Sequence, residues 1–257
     1  MPPLVIAHRG DSAHRPENTM AAFASALEVG AEIVELDVQL TRDGHVVVMH
    51  DPTVDRTTGS SGRVEEMTLR EVRALSAGYP ERFGAAFAGE RVPTLAEALG
   101  LLRDRARVLV EIKPHSVTDD AEGGIEARAL AEVRRAGMEK DVAFISFDRR
   151  ALERCRDQAP EIARGPLFHR AETGDVLAVA REVGGELVLP AKGMLSDELR
   201  DRAREAGIKV ATWVVDEPDE LTMLARFDLY GIGSNRPGVL LDAIREVEAA
   251  PPQGSAR

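Results

Sequence analysis

Short apolar runs alternate with amphipathic stretches along almost the whole chain. Eight runs are strand-like: Leu4–His8, Ile33–Val38, Val108–Lys113, Val142–Phe147, Gly165–Phe168, Leu187–Pro190, Val210–Val215 and Tyr230–Ser234. Several are β-branched, the composition of parallel strands covered on both faces. Helical patterns fill the gaps. Phe23, Ala26, Leu27 and Gly30 recur at i, i+3, i+4 and i+7 and predict one buried stripe. Thr68 with Glu71 and Thr94 with Glu97 have capping-box spacing, and Ser196 before Asp197 and Glu198 predicts another helix start. Gly30, Gly137 and Gly207 stand where helices should stop.

Eight βα units in 257 residues match the size of a (β/α)8 TIM barrel. A doubly wound sheet would alternate in the same way, but the glycine-rich turn that marks its first strand is absent. The barrel is the expectation. Val46–Met49 does not fit the count of eight, because it follows the second strand too closely for a helical crossover. Asp43-Gly44 between two apolar runs signals a two-residue hairpin. Pairing about that turn puts Asp37 opposite His50, with both side chains on one face of the ribbon. A single domain is expected over residues 1–248, with a short, partly helical insertion at about 52–91. A disordered tail is expected over 249–257, where Pro251, Pro252, Gly254 and Ser255 cluster.

Composition narrows the partners. The 33 basic and 44 acidic residues leave a formal charge of −11, which disfavours nucleic acid or an anionic membrane as the main partner. No apolar run approaches the ~20 residues needed to cross a bilayer. The opening MPPLVIAHRG lacks a basic n-region and cleavage site, so no secretory signal is expected. Cys155 is the only cysteine, which excludes an internal disulfide framework and fits a reducing, cytoplasmic location.

In a TIM barrel the chemistry sits at the C-terminal ends of the strands. Here those ends read His8-Arg9-Gly10, Glu35-Leu36-Asp37 and Glu111-Ile112-Lys113, with His50 folded back beside them. Strand alternation points Glu35 and Asp37 the same way, and likewise Glu111 and Lys113. Three converging carboxylates repel unless a positive charge lies between them, and a hard divalent cation is the simple solution. Arg9 and Lys113 suit phosphate oxygens, while His8 and His50 can exchange protons near neutrality. Which histidine is acid and which is base stays open at this level.

This ordered set resembles the glycerophosphodiester phosphodiesterase family. The resemblance rests on His8-Arg9-Gly10, Pro16-Glu17-Asn18-Thr19, Glu35-Leu36-Asp37-Val38, Asp43-Gly44 and His50-Asp51. It continues through Val92-Pro93-Thr94-Leu95, Glu111-Ile112-Lys113-Pro114, Ser146-Phe147, Trp213 and Asn235-Arg236-Pro237, nearly the whole chain. It implies a TIM barrel, one Mg²⁺ or Ca²⁺ on Glu35, Asp37 and Glu111, His8 and His50 as the acid/base pair, and Arg9 and Lys113 at the phosphate. It also implies cleavage of glycerophosphodiesters to an alcohol and sn-glycerol 3-phosphate, by attack of the glycerol 2-hydroxyl and hydrolysis of the resulting cyclic phosphate. The chain departs from the family near the last strand, reading Asp228-Leu229-Tyr230-Gly231-Ile232 and then Gly233-Ser234. Tyr230 is expected to add bulk near the barrel rim.

Other residues carry weaker signals. Trp213 divides between core packing and lining the glycerol pocket. Glu17 is expected to support a neighbouring site residue. His14, His45, His115 and His169 are expected to be structural or exposed, and Cys155 to be packing. A related lyase or lysophospholipase D-type enzyme would share this chemistry. A glycoside hydrolase could use the carboxylates but has no need of Arg9 and Lys113 beside them. A non-catalytic barrel would have no reason to keep the complete rim.

Overall fold

The computed structural model describes residues 2–169, 174–224 and 227–249. Among the described residues nine strands form one sheet: β1 (Leu4–His8), β2 (Ile33–Leu40), β3 (Val46–Val48), β4 (Arg107–Ile112), β5 (Val142–Ser146), β6 (Ala163–Phe168), β7 (Leu187–Pro190), β8 (Lys209–Thr212) and β9 (Gly231–Ser234). All are parallel except β3, which pairs antiparallel with β2. Because β1 pairs with both β2 and β9, the eight parallel strands close into a barrel. Helices lie between them, as the alternation predicts. Both capping boxes are formed, Ser196 accepts from Leu199 N, and Gly30, Gly137 and Gly207 cap their helices. No helix among the described residues is long and apolar enough to cross a membrane.

Two apolar shells pack strands against helices, one around Leu36, Leu99, Ile112 and Phe144, the other around Val188, Leu177 and Leu224. A third cluster fills the barrel itself: Ile6, Ile33, Leu109, Ile145, Leu167, Leu187, Leu189 and Ala211. Each large aliphatic side chain so buried contributes roughly 1.5–3 kcal/mol. The catalytic end is therefore built on a solid floor.

Two expectations are corrected. The β2–β3 turn is not a two-residue loop. Val38 pairs with Val48, Gln39 with Val47 and Leu40 with Val46, and Thr41 N donates to His45 O. Arg42, Asp43 and Gly44 thus form a three-residue loop, a tight turn closed by Gly44 N donating to Thr41 O, with Gly44 at φ 78°. A three-residue loop that ends in a left-handed glycine matches strand twist as a two-residue turn does, but shifts the register by one. Asp37 consequently faces Met49, whose N–H donates to the Asp37 carbonyl. Tyr230 is likewise not at the rim. It immediately precedes β9, at the N-terminal pole, where its hydroxyl accepts from Arg107 (2.6 Å) and Lys209 Nζ sits 4.9 Å from the ring centroid.

The expected insertion forms short helices at Asp55–Thr58, Leu69–Ala74 and Pro80–Phe83, resting on a small core of Val47, Val54, Val64, Val72 and Val92. Of the expected tail, residues 250–257 lie outside the described residues; Ala249 ends the helix Pro237–Ala249.

Candidate active site

Strand parity builds the site. Positions that fill the barrel floor repeat two residues further along at the rim: Ile6 leads to His8, Ile33 to Glu35 and Asp37, Leu109 to Glu111 and Lys113. The same step carries Ile145 to Phe147, Leu167 to His169 and Ala211 to Trp213. Register then sets neighbours. His8 pairs with Glu35, and Asp37 pairs with Glu111.

Glu35, Asp37 and Glu111 are all buried, and ligand oxygens from the three lie within 4.8 Å of one another. Two like charges at that spacing repel by about 3 kcal/mol even at an effective dielectric near 20. Lys113 Nζ stands 2.6 Å from Glu111 Oε1 and 3.2 Å from Asp37 Oδ1, and Arg9 Nε stands 3.2 Å from Asp37 Oδ2. Two cations against three carboxylates leave one negative charge uncompensated. Burial, then the neighbouring Asp37 and Glu111 carboxylates, push Glu35 well above the ordinary glutamate range. Burial and Asp37 push Glu111 up to about 7. Asp37 goes the other way: burial would raise it, but Lys113 and Arg9 outweigh burial and hold it ionised. Among the described residues Glu35 Oε1 and Asp37 Oδ1 are buried without a hydrogen-bond partner, Asp37 Oδ1 meeting Lys113 Nζ as an ion pair at 3.2 Å. Orphaned oxygens from converging carboxylates are what a hard divalent ion requires. The residues fit a divalent cation site.

Local backbone geometry aims these groups. Arg9 (φ 57°) and Gly10 (φ 81°) both turn left-handed after β1, which points Arg9 N–H at Glu35 Oε2, 2.9 Å away. A Cβ on Gly10 would meet the Ala22 carbonyl carbon at 2.6 Å, so only glycine fits. Asn18 Nδ2 donates to Asp37 Oδ2 at 2.7 Å. Glu17 accepts from Arg9 Nη1 at 2.9 Å.

Both expected histidines face one cavity of about 360 Å³, together with Arg9, Glu35, Glu111 and Lys113. Asn235 Nδ2 donates to Asp216 Oδ2 at 2.7 Å, which turns Asn235 Oδ1 toward His8 Nδ1, also 2.7 Å. His8 Nδ1 therefore carries the hydrogen, and its Nε2 faces the carboxylates, 4.0 Å from Glu35 Oε2. Burial, then the Arg9 charge, lowers its pKa to about 4. His50 Nδ1 donates to Asp51 Oδ1 at 2.7 Å and so also leaves Nε2 free. Burial lowers the His50 pKa as well, against the opposing pull of Asp37. His50 does not arrive by strand pairing. The ladder with β2 ends at the bond from Met49 N–H to the Asp37 carbonyl, and buried Gln39 holds the chain beyond it by donating to Met49 O (2.8 Å) and Asp51 O (2.7 Å).

Phe147, His169 and Trp213 form the other wall. Phe147 stacks on His169 with centroids 4.0 Å apart, and Trp213 meets both edge-on at 5.7 Å. Trp213 donates its Nε1–H to Leu189 O, so it offers the cavity only ring surface. His169, read from sequence as structural or exposed, is exposed and lines this wall. Sequence reading assigned no role to Asn235, Gln39 or Asn18. Asn235 was findable, since it lies two positions past inward Gly233. His14, His45 and His115 stand off the cavity, and Cys155 is buried, its thiol pushed up to about 12 by burial.

Converging carboxylates that fit a cation, with Arg9, Lys113 and two imidazoles facing the same cavity, are what a ligand uniting a divalent ion and a phosphate would meet. Fold and site thus define a metal-assisted phosphoester-cleaving barrel. Residues 8–239 match the glycerophosphoryl diester phosphodiesterase family, and the chain belongs to it. It is 37% identical over 247 residues to a glycerophosphodiester phosphodiesterase of Caldanaerobacter subterraneus subsp. tengcongensis, covering 96% of this chain and 99% of that one. A crystal structure of glycerophosphodiester phosphodiesterase from Agrobacterium tumefaciens superposes with a TM-score of 0.81 at 30% identity, covering 93% and 99% of the two chains. An Oleispira antarctica phosphodiesterase in complex with the product sn-glycerol-3-phosphate superposes with a TM-score of 0.86 at 27% identity, covering 95% and 97%.

Proposed function

We propose that this chain hydrolyses glycerophosphodiesters to an alcohol and sn-glycerol 3-phosphate with the help of one divalent cation, Mg²⁺ or Ca²⁺. The convergence of Glu35, Asp37 and Glu111 within 4.8 Å, under two imidazoles that both present Nε2, carries the reading. The three carboxylates would hold the ion, which when bound supplies positive charge against a phosphate oxygen. Arg9 and Lys113 bind and orient the phosphate, and Trp213 bounds the pocket beside it. One histidine takes the proton of the glycerol 2-hydroxyl as that oxygen attacks phosphorus; the other gives its proton to the departing alcohol oxygen. Water then opens the cyclic phosphate with the two proton roles exchanged. The product bound in the Oleispira antarctica phosphodiesterase supports this substrate class. The single buried Cys155 supports a reducing, cytoplasmic setting.

The test is a metal-panel assay on glycerophosphocholine, glycerophosphoethanolamine and glycerophosphoglycerol. Release of glycerol 3-phosphate that EDTA abolishes and Mg²⁺ or Ca²⁺ restores is expected. Activity on none of them with any divalent ion overturns the reading, and accumulating cyclic phosphate makes the enzyme a lyase.

A further inference from the structure

Arg56 belongs to the insertion, in the short helix Asp55–Thr58, and forms no part of the cavity wall. Its guanidinium nevertheless grips two carboxylates at once. Nη1 and Nη2 donate to Glu17 Oε2 and Oε1 at 2.7 and 2.8 Å. Nε and Nη2 donate to Asp51 Oδ2 and Oδ1 at 2.6 and 3.1 Å. Four of the five N–H donors of the group are spent on these two forks. Beyond each carboxylate stands a cavity residue: Glu17 Oε1 also accepts from Arg9, and Asp51 Oδ1 also accepts from His50 Nδ1. Both forks share an oxygen with the cavity residue, so Arg56 sets the direction from which each carboxylate meets its partner. The Arg56 guanidinium in turn lies 5.5 Å from the Tyr79 ring centroid, and Tyr79 N–H donates to Thr57 O. The seat as well as the residue comes from the insertion.

We propose that Arg56 is a positioning residue for the reaction, fixing at one stroke the tautomer and direction of His50 through Asp51 and the direction of Arg9 through Glu17. Arg9 joins this cluster to the converging carboxylates, since its Nε also stands 3.2 Å from Asp37 Oδ2. A lysine would keep the charge but could satisfy neither fork, since its ammonium is a point donor. The phosphate-binding side and the proton-transferring side of the site are thereby tied to one side chain outside both. The role assigned to Arg56 rests on the hydrolase reading, although its geometric half can be tested without turnover.

The experiment compares R56A, R56K and D51N in the full chain. With glycerophosphocholine and the preferred divalent ion, R56A and R56K should both lose kcat on the order of 100-fold, the usual cost of a displaced reacting group, while KM changes little. Added guanidinium should return part of the kcat of R56A and none to D51N. Independently of substrate, ring ¹⁵N NMR of the neutral histidines should show His50 held with hydrogen on Nδ1 in the wild type and a tautomer mixture in R56A. Metal-induced thermal stabilisation should be the same in all three variants. Wild-type kcat in R56K, or an unchanged His50 tautomer in R56A, overturns the proposal. If wild-type protein hydrolyses no glycerophosphodiester while the tautomer shift appears, the hydrolase reading fails and the positioning role of Arg56 stands.

Discussion

His8 and Asn235, at opposite ends of the chain, hold Nδ1 and Oδ1 2.7 Å apart across the closure of the barrel. The bond exists because β1 pairs with β9, and Asp216 turns the amide the right way round by accepting from its Nδ2. N235A should leave the barrel intact but free the imidazole to change tautomer. A kcat lower by roughly 10–100-fold at little-changed KM is expected in steady-state kinetics. Full turnover would show that the ring needs no such partner.

The imidazoles themselves should matter more. H8A and H50A should each lower kcat by about 10²–10⁴-fold, with circular dichroism and metal-induced thermal shifts as in the wild type. Either variant turning over at the native rate would remove that histidine from the chemistry.

In metal-free protein Glu111 should contribute an inverted pH dependence of stability. Glu111 is pushed from 4.5 to about 7 by burial and Asp37. Between those values the folded chain keeps a proton that the unfolded chain releases, so stability falls as pH rises from about 4.5 to 7. The lowered pKa of Asp37 acts with opposite sign, but only below its ordinary value and so outside this window. His8 and His50, whose pKa values burial lowers, act with opposite sign in the same window, so the Glu111 share is read as the difference in Tm between wild type and E111Q by calorimetry in EDTA; that difference should fall as pH rises, and saturating Mg²⁺ or Ca²⁺ should remove the fall. At 100-fold over Kd the ion adds about 2.7 kcal/mol. A difference between wild type and E111Q that climbs through the window contradicts the electrostatic account.

Gly10 offers a backbone test. At φ 81°, and with a Cβ position 2.6 Å from the Ala22 carbonyl carbon, it has no room for a methyl group. G10A should cost on the order of 1–3 kcal/mol and disturb the Arg9 N–H to Glu35 bond. Urea titration beside an activity assay measures both; an unaltered midpoint would mean that the helix Met20–Val29, which carries Ala22, yields without penalty.

Much of this was legible because a parallel barrel obeys a period of two. Knowing that Ile33 and Leu109 face inward was enough to put Glu35, Asp37, Glu111 and Lys113 on one rim. Where that period ends, so did legibility. The hairpin differs from expectation by one loop residue, a choice between two turns of nearly equal merit that the pair Asp43-Gly44 does not decide. His50 nevertheless reaches the cavity, because Gln39 holds the chain there and not because of cross-strand register. Tyr230 was assigned to the wrong pole because it leads its strand, and the chemistry lies at the trailing ends. Arg56 follows no strand at all, so nothing in its spacing linked it to His50 or Arg9.

The loop Arg42–Gly44 has one more implication. Loops on a barrel rim commonly absorb insertions, since the strands beneath do not depend on them. Here the returning strand leads straight to Met49 and Asp51, and an added residue that shifted the β2–β3 register would draw their carbonyls off Gln39, which places His50. A single extra residue between Thr41 and His45 that passes into the ladder should therefore silence the enzyme. Length variation across homologous chains should avoid this loop and collect elsewhere on the rim.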